Sequence, residues 1–385
     1  MAFQTFMVPR EIIFNEGALD YLKGLEGKRA TIVTGGSSMK RFGFLDEAKA
    51  NLEEAGMEVS IIEGVEPNPT VQTVLRGAKE MTDFGPDWII AIGGGSAIDA
   101  AKVMWVYYEY PDSKFEELVG FNFPKLRTKA KFIAAPSTSG TASEVTAFSV
   151  ITDPENHMKY PLVSPEMIPD VALVDPKLPA TMPAHITANT GMDVMTHAIE
   201  AYVSNVANSY TDPLAMEAIK LVKEWLPVAF EEGQNMEART HMHNASTSAG
   251  IAFSNVSLGL VHSLAHKIGG EFGITHGLAN AILLPYIIEY NSKATDKFKE
   301  IEKQLEITDL VAAIKELNQQ VGIPLTLQEV EEVSMAEDKF KEVLDRMSKN
   351  AFEDPCTLTN PRTSSVEDVK KIYEAAYYGT SGLEI

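Results

Sequence analysis

An α/β fold, with a doubly wound parallel-sheet domain followed by an all-helical domain, is predicted by three observations. Short β-branched runs alternate with amphipathic stretches over about the first 180 residues. Glycine- or hydroxyl-rich turns follow three of those runs. After Asp175-Pro176-Lys177-Leu178-Pro179 and Pro183 the strand signals stop, and long 3.6-period stretches take over.

In chain order, Ala30–Thr34, Val59–Ile62, Trp88–Ile92, Phe132–Ala135 and Val171–Val174 read as strands. Leu45–Glu54, Val71–Thr82 and Ala97–Tyr107 read as helices between them. Strand–helix alternation with apolar strands is the pattern of a parallel sheet covered by helices on both faces. Beyond the prolines, His185–Ser204, Pro213–Glu232, Met236–Asn255, Leu258–Gly269 and Ala279–Tyr290 read as helices. The expected division is therefore an α/β domain over residues 1–182 and an all-helical domain over residues 183–385.

Composition narrows the class of partner. With 385 residues, 45% hydrophobic and 23% charged, the chain has the make-up of a packed globular protein. The 54 acidic against 33 basic side chains leave a net charge of −21, a field that repels phosphate backbones and anionic lipid surfaces. No nucleic acid and no membrane partner is expected. The single cysteine, Cys356, cannot form an internal disulfide and reads as an inert structural thiol. MAFQTFMVPREIIF lacks the basic start and apolar core of a signal peptide, and the most apolar stretch, Gly250 to Gly270, is broken by Asn255, His262, His266 and Lys267. A cytoplasmic protein is expected, with a homodimer as the commonest closed assembly.

Three turns at strand ends suit a nucleotide. Gly93-Gly94-Gly95-Ser96 joins an apolar run to a helix start, where bare backbone and free N–H groups suit a diphosphate. It lacks the G-x-G-x-x-G spacing, and a plain turn capped by Ser96 with Asp99 closing a capping box is the competing reading. Pro136-Ser-Thr-Ser-Gly-Thr-Ala-Ser143 follows the next strand. Thr34-Gly35-Gly36-Ser37-Ser38-Met39-Lys40-Arg41 follows the first. An acidic residue at that last position would accept the ribose 2′-hydroxyl of NAD and repel a 2′-phosphate. Gly35, Gly36 and Ser37, with Lys40 and Arg41 nearby, instead favour NADP(H) over NAD(H).

Four of the eight histidines stand in apolar, glycine-flanked contexts in the helical half. Asp193 and His197 are four apart and share one helix face, and His262 and His266 repeat that spacing. His276 sits at a loop-to-helix junction. A carboxylate with three imidazoles suits one divalent ion such as Fe²⁺ or Zn²⁺, whereas a thiolate site is excluded by the single cysteine. Taken singly, each histidine reads more often as a satisfied core residue than as a ligand, and Thr190-x-x-Asp193 reads as a capping box. His157, His185, His241 and His243 lie in polar or proline-rich contexts and read as surface residues.

Together these motifs resemble the iron-containing, or group III, alcohol dehydrogenases. The resemblance runs essentially end to end: Gly93-Gly-Gly-Ser-Ala-Ile-Asp-Ala-Ala-Lys102, Pro136-Ser-Thr-Ser-Gly-Thr-Ala-Ser-Glu-Val-Thr146, Gly191-Met-Asp-Val-Met-Thr-His-Ala-Ile-Glu-Ala-Tyr202, His262-Ser-Leu-Ala-His-Lys267, His276-Gly277 and Asn360-Pro-Arg362. It implies a Rossmann-like first domain, in a dehydroquinate synthase-like architecture. It also implies Asp193, His197, His262 and His276 as metal ligands, with His266 beside the metal but not bound to it. Gly94, Gly95 and Ser96 would hold the cofactor diphosphate, and Thr138, Ser139 and Lys159 would lie along the rest of the dinucleotide. Gly35 departs from the Asp that many NAD-preferring members carry.

The implied reaction is reversible hydride transfer between NADP(H) and a short-chain primary alcohol or aldehyde such as butanol or butyraldehyde, with Fe²⁺ ahead of Zn²⁺ as the metal and His266 as a catalytic proton relay. Phe148, Phe253 and Val256 are candidates for an apolar pocket. Rival activities on the same fold are a polyol or glycerol-type dehydrogenase and a dehydroquinate synthase-like lyase. Charged phosphate substrates call for several Lys or Arg side chains, and near the ligand motifs only Lys267 stands out. A non-catalytic nucleotide-binding protein with structural histidines is the remaining alternative.

Overall fold

The computed structural model describes residues 5–154, 158–334 and 336–380. His157 lies outside the described residues. The chain divides into two compact units, residues 1–182 with 234–254 and residues 183–233 with 255–385.

The first unit is built on a six-stranded sheet, all parallel, in the order β1-β8-β5-β4-β2-β3. The strands are β1 (Glu11–Phe14), β2 (Arg29–Gly35), β3 (Glu58–Val65), β4 (Trp88–Gly93), β5 (Lys131–Pro136) and β8 (Val171–Val174), while β6 (Phe148–Asp153) and β7 (Met158–Val163) form a separate antiparallel pair. Every strand expected from the sequence is present, lengthened by at most a few residues. β4 is buried along its whole length, which explains its unbroken apolar run Trp-Ile-Ile-Ala-Ile. Three strands escape sequence detection. β1 is a four-residue, half-exposed edge strand in register with β8. The β6–β7 pair contains Pro161, opposite Val150, a residue that argues against a strand when seen in sequence alone.

Helices cover both faces. The helix Gly95–Glu109 packs on the sheet with Trp105 stacked on Phe132 (centroids 5.3 Å), and Gly77 of the helix Val71–Phe84 has no side chain where Met104 crosses it. The chain runs β2 to β3 on one side, then returns to place β4 on the other side of β2. This reversal makes a topological switch point outside the carboxyl ends of β2 and β4, the place where open α/β sheets bind ligands.

The second unit holds the helices Ala184–Val203, Asp212–Glu231, Leu260–Phe272 and His276–Asn291, with further helices towards the C-terminus, and no strand among the described residues. Close approach sets its geometry. A side chain at Gly277 would collide with the backbone of Asn189, so the helix carrying His276 lies directly against the helix carrying Asp193. Among the described residues no single helix is long and apolar enough to cross a membrane.

Candidate metal centre and nucleotide-binding edge

Asp193 and His197 lie one turn apart in the helix Ala184–Val203, His262 comes from the first turn of Leu260–Phe272, and His276 opens the helix His276–Asn291. Their side chains converge. Asp193 Oδ1 lies 3.9 Å from His197 Nε2, 3.8 Å from His262 Nε2 and 3.6 Å from His276 Nε2. One ligand atom from each of the four lies within 4.8 Å of the others. Tetrahedral ligands about 2.1 Å from an ion stand about 3.4 Å apart, so small side-chain adjustments close this set on a metal. Thr190, which could have capped Asp193, lies inside the helix and donates instead to the Ile186 carbonyl (2.8 Å).

The donor chemistry fits a cation. Asn280 Nδ2 donates to Asp193 Oδ1 (2.7 Å) and lies 3.2 Å from His262 Nε2 and 3.1 Å from His276 Nε2. An amide with two hydrogens thus faces three acceptors, and its own Oδ1 is buried without a hydrogen-bond partner. Burial, reinforced by the neighbouring His197, His276 and His266, holds His262 well below its ordinary pKa, so it presents a neutral lone pair.

Glu200, two turns beyond Asp193, orients His262. Its Oε2 accepts from His262 Nδ1 (2.6 Å) and from the Gly259 N–H (3.0 Å), while Oε1 accepts from the Val261 N–H (2.6 Å). With Nδ1 carrying the hydrogen, Nε2 is the free acceptor. Burial raises the Glu200 carboxyl, and the backbone N–H groups of Gly259, Val261 and His262 pull it back towards the ionised form. Asn360 of the Asn-Pro-Arg motif accepts from the Leu260 N–H (3.2 Å) and pairs with Asn291, fastening the start of the His262 helix to the end of the His276 helix.

His266 lies beside this set, its ring stacked on His276 (centroids 5.4 Å, 12°) and its side chain 40% exposed. Its Nδ1 is 3.2 Å from Asp354 Oδ2, which also pairs with Lys267 Nζ at 2.7 Å. Burial alone would raise the Asp354 carboxyl, but His266 and Lys267 hold it well below the usual range. Lys267 is therefore already paired.

The glycine loops meet at the carboxyl edge of the sheet in the first unit. Gly94 is the N-cap of the 15-residue helix Gly95–Glu109 and offers no side-chain cap. Gly94, Gly95 and Ser96 are half-buried, which leaves this helix end accessible. Asp99 does not close a capping box, since it accepts from Ser143 Oγ (2.6 Å) and the Val150 N–H (2.9 Å). Thr138 stands next to Gly94, and the Ser137 N–H donates to the Gly93 carbonyl (2.9 Å), joining the second loop to the first. Gly35 ends β2, and Gly36 and Ser37 follow it, across the switch point. A side chain at Gly35 would lie 2.6 Å from the Val65 carbonyl, so an acidic residue there would need β3 to move. Lys40 pairs with Glu63 (2.9 Å) in an exposed ion pair, and Arg41 lies over the Phe42 ring. Lys159 Nζ donates to Asn68 Oδ1 (2.7 Å), beyond the carboxyl end of β3. The rings of Phe148 and Phe253 approach at 6.2 Å, whereas Val256 belongs to the other unit.

One expectation is corrected. His243 is not a surface residue: it is 1% exposed, with Nδ1 3.0 Å from Ser139 Oγ. The polar run Met-His-Asn-Ala-Ser-Thr-Ser hides a helix face, at 243, 246, 247 and 250, that packs on the hydroxyl-rich loop. Ser246 Oγ donates to the Gly140 carbonyl, Thr247 Oγ1 donates to Glu144, and Gly250 leaves room for Ala142 and Val145. Burial pushes His243 down to about 3. An unfolded histidine takes up a proton below about 6.5, so between there and about 3 the unfolded state binds one proton more than the native state. His243 should thus remove up to about 1.4 kcal/mol of stability per pH unit as pH falls through that window. Urea unfolding of the wild type and His243→Gln between pH 7 and 4 should show a shallower loss in the variant, and parallel curves would contradict the assignment.

Glu200, Asn280, Asp354 and His243 have roles that the sequence does not announce. Only Asn280 carried a usable signal, at four residues from His276.

A family model for iron-containing alcohol dehydrogenase matches residues 9–176, and the Fe-containing alcohol dehydrogenase family C-terminal model matches residues 187–377. The chain belongs to the iron-containing alcohol dehydrogenase family, oxidoreductases that interconvert alcohols and aldehydes. It is 52% identical to the NADPH-dependent butanol dehydrogenase of Clostridium saccharobutylicum, over 97% of this chain and 98% of that one. It is 40% identical to an alcohol dehydrogenase of Thermococcus barophilus, over 97% of this chain and 100% of that one. The iron-containing alcohol dehydrogenase of Thermococcus thioreducens superposes with a TM-score of 0.90 at 39% identity, over 98% of this chain and 100% of that one.

Proposed function

We propose that the protein reduces short-chain aldehydes such as butyraldehyde, and oxidises the corresponding primary alcohols, with NADP(H) and one divalent metal, Fe²⁺ ahead of Zn²⁺. The observation that carries this reading is the convergence of Asp193 Oδ1 with the Nε2 atoms of His197, His262 and His276. The family supports iron, and the 52% identical relative, an NADPH-dependent butanol dehydrogenase, supports both butanol and NADPH.

When bound, the ion would act as a Lewis acid on the substrate oxygen and the nicotinamide would exchange hydride with the carbinol carbon. Asp193 contributes the negative charge and His197, His262 and His276 neutral lone pairs, with Glu200 fixing the hydrogen of His262 on Nδ1. Gly94, Gly95 and Ser96 direct N–H groups at the diphosphate, and Thr138, Ser139 and Lys159 contact the rest of the dinucleotide. His266 passes the substrate proton to solvent through Nε2, its Nδ1 being held by Asp354. The pairing of Lys267 with Asp354 supports a weakly charged substrate.

Gly35, Gly36 and Ser37 leave space for a 2′-phosphate within reach of Lys40 and Arg41. The exposed Lys40–Glu63 pair is screened by solvent and holds Lys40 too weakly to keep it from a phosphate. Aldehyde reduction followed at 340 nm should be faster with NADPH than with NADH. The double substitution Lys40→Ala with Arg41→Ala should raise KM for NADPH about tenfold, one to two charged hydrogen bonds' worth, and leave KM for NADH nearly unchanged. Equal effects on both cofactors would contradict the 2′-phosphate assignment.

A further inference from the structure

A second group of metal-ligating side chains lies beside the proposed centre. One ligand atom each from His266, Asp354 and Cys356 lie within 4.8 Å of one another. Asp354 organises the group: Oδ2 faces His266 Nδ1 at 3.2 Å, and Oδ1 accepts from the Cys356 N–H at 3.0 Å. His266 and Cys356 are both partly accessible, whereas the Asp354 side chain is only 6% exposed. Imidazole, carboxylate and thiol together form a borderline-soft donor set, and its sulfur sets it apart from the Asp193 centre.

Two features keep the group from holding a metal tightly. Lys267 Nζ, 2.7 Å from Asp354 Oδ2, places a positive charge where a cation would bind. Burial, with the Asp354 and Glu200 carboxylates nearby, raises the Cys356 thiol well above its ordinary pKa, so a metal must displace its proton.

We propose that His266, Asp354 and Cys356 form a low-affinity second site for borderline-soft divalent ions such as Co²⁺ and Zn²⁺, filled only after the Asp193 centre, and that filling it inhibits turnover. On binding, the metal–sulfur bond forms as the Sγ proton leaves to the buffer. His266 Nδ1 becomes a ligand, the ring hydrogen moves from Nδ1 to Nε2, and no lone pair remains on Nε2 to accept the substrate proton. The inhibition rests on the proton-exchange role given to His266 above, whereas the binding does not.

Cobalt titration of the full-length, metal-stripped protein tests both parts. The first equivalent should give visible d–d bands without sulfur-to-cobalt charge transfer, because the Asp193 set contains no sulfur. Further cobalt should bring in a near-ultraviolet charge-transfer band in the wild type and none in Cys356→Ser or Cys356→Ala. Absence of that band up to millimolar cobalt, or its appearance within the first equivalent, overturns the second site. Loss of the first d–d bands in Asp193→Ala, with the sulfur band retained, separates the two sites. Excess Co²⁺ should inhibit the cobalt-loaded wild type, and Cys356→Ser should need at least tenfold more for the same inhibition. Because both sites then hold the same metal, exchange at the first centre cannot produce the effect. Equal sensitivity of wild type and variant overturns the inhibitory role.

Discussion

Replacing Asp193 by alanine is expected to lower kcat/KM by at least about a thousandfold, with bound metal falling well below one ion per chain. A Lewis acid at the substrate oxygen is worth several kcal/mol of transition-state stabilisation, and each 1.36 kcal/mol is a factor of ten. Asp193 is the only carboxylate in the converging set, and its Oδ1 faces all three imidazole nitrogens. Without it, three neutral lone pairs remain and Asn280 Nδ2 loses its shortest partner. The fold should survive, because the helices around the site are held by contacts independent of Asp193, such as the close approach of Gly277 to Asn189 and the Asn360–Asn291 pair. Metal content, kcat/KM and the thermal unfolding midpoint measured together check this. A variant with a full complement of metal and near-normal turnover would contradict it.

Replacing Glu200 by glutamine should weaken metal affinity about 10- to 100-fold, the range typical of partners that orient a ligating histidine. The change is nearly isosteric, but a glutamine has one acceptor oxygen where the glutamate has two. Both glutamate oxygens face donors, Val261 on one side and Gly259 with His262 Nδ1 on the other. Whichever way the amide turns, its NH₂ meets an N–H. If it turns towards His262, the imidazole hydrogen shifts to Nε2 and the lone pair offered to the metal is lost. A competition assay with a chromophoric chelator reads the affinity directly, without turnover. Unchanged affinity would mean that Glu200 supports only the fold.

Much of this arrangement was legible in the sequence because the signals are periodic. The apolar runs around Ile32, Ile90 and Ile133 are buried on both faces of the sheet and so are continuous, and the i, i+4 pairing of Asp193 with His197 survives intact in the helix. What escaped has no local signature. Glu200 meets His262 across 62 residues, and Asp354 meets His266 across 88. Both carboxylates acquire their roles only when distant segments pack together. His243 misled for a related reason: its polar neighbours form the complement of a polar loop rather than a solvated face. The edge strand β1 is too short and too exposed for a periodic pattern to register.

One measurement tests the metal centre most directly: anaerobic titration of the chelator-stripped protein with Fe²⁺ while butyraldehyde-dependent oxidation of NADPH is followed at 340 nm. Turnover should be absent from the stripped protein, rise to a plateau at one equivalent of Fe²⁺ per chain, and fail to appear in Asp193→Ala. Equal turnover before and after metal is restored would contradict the assignment of Asp193, His197, His262 and His276 as the catalytic metal centre.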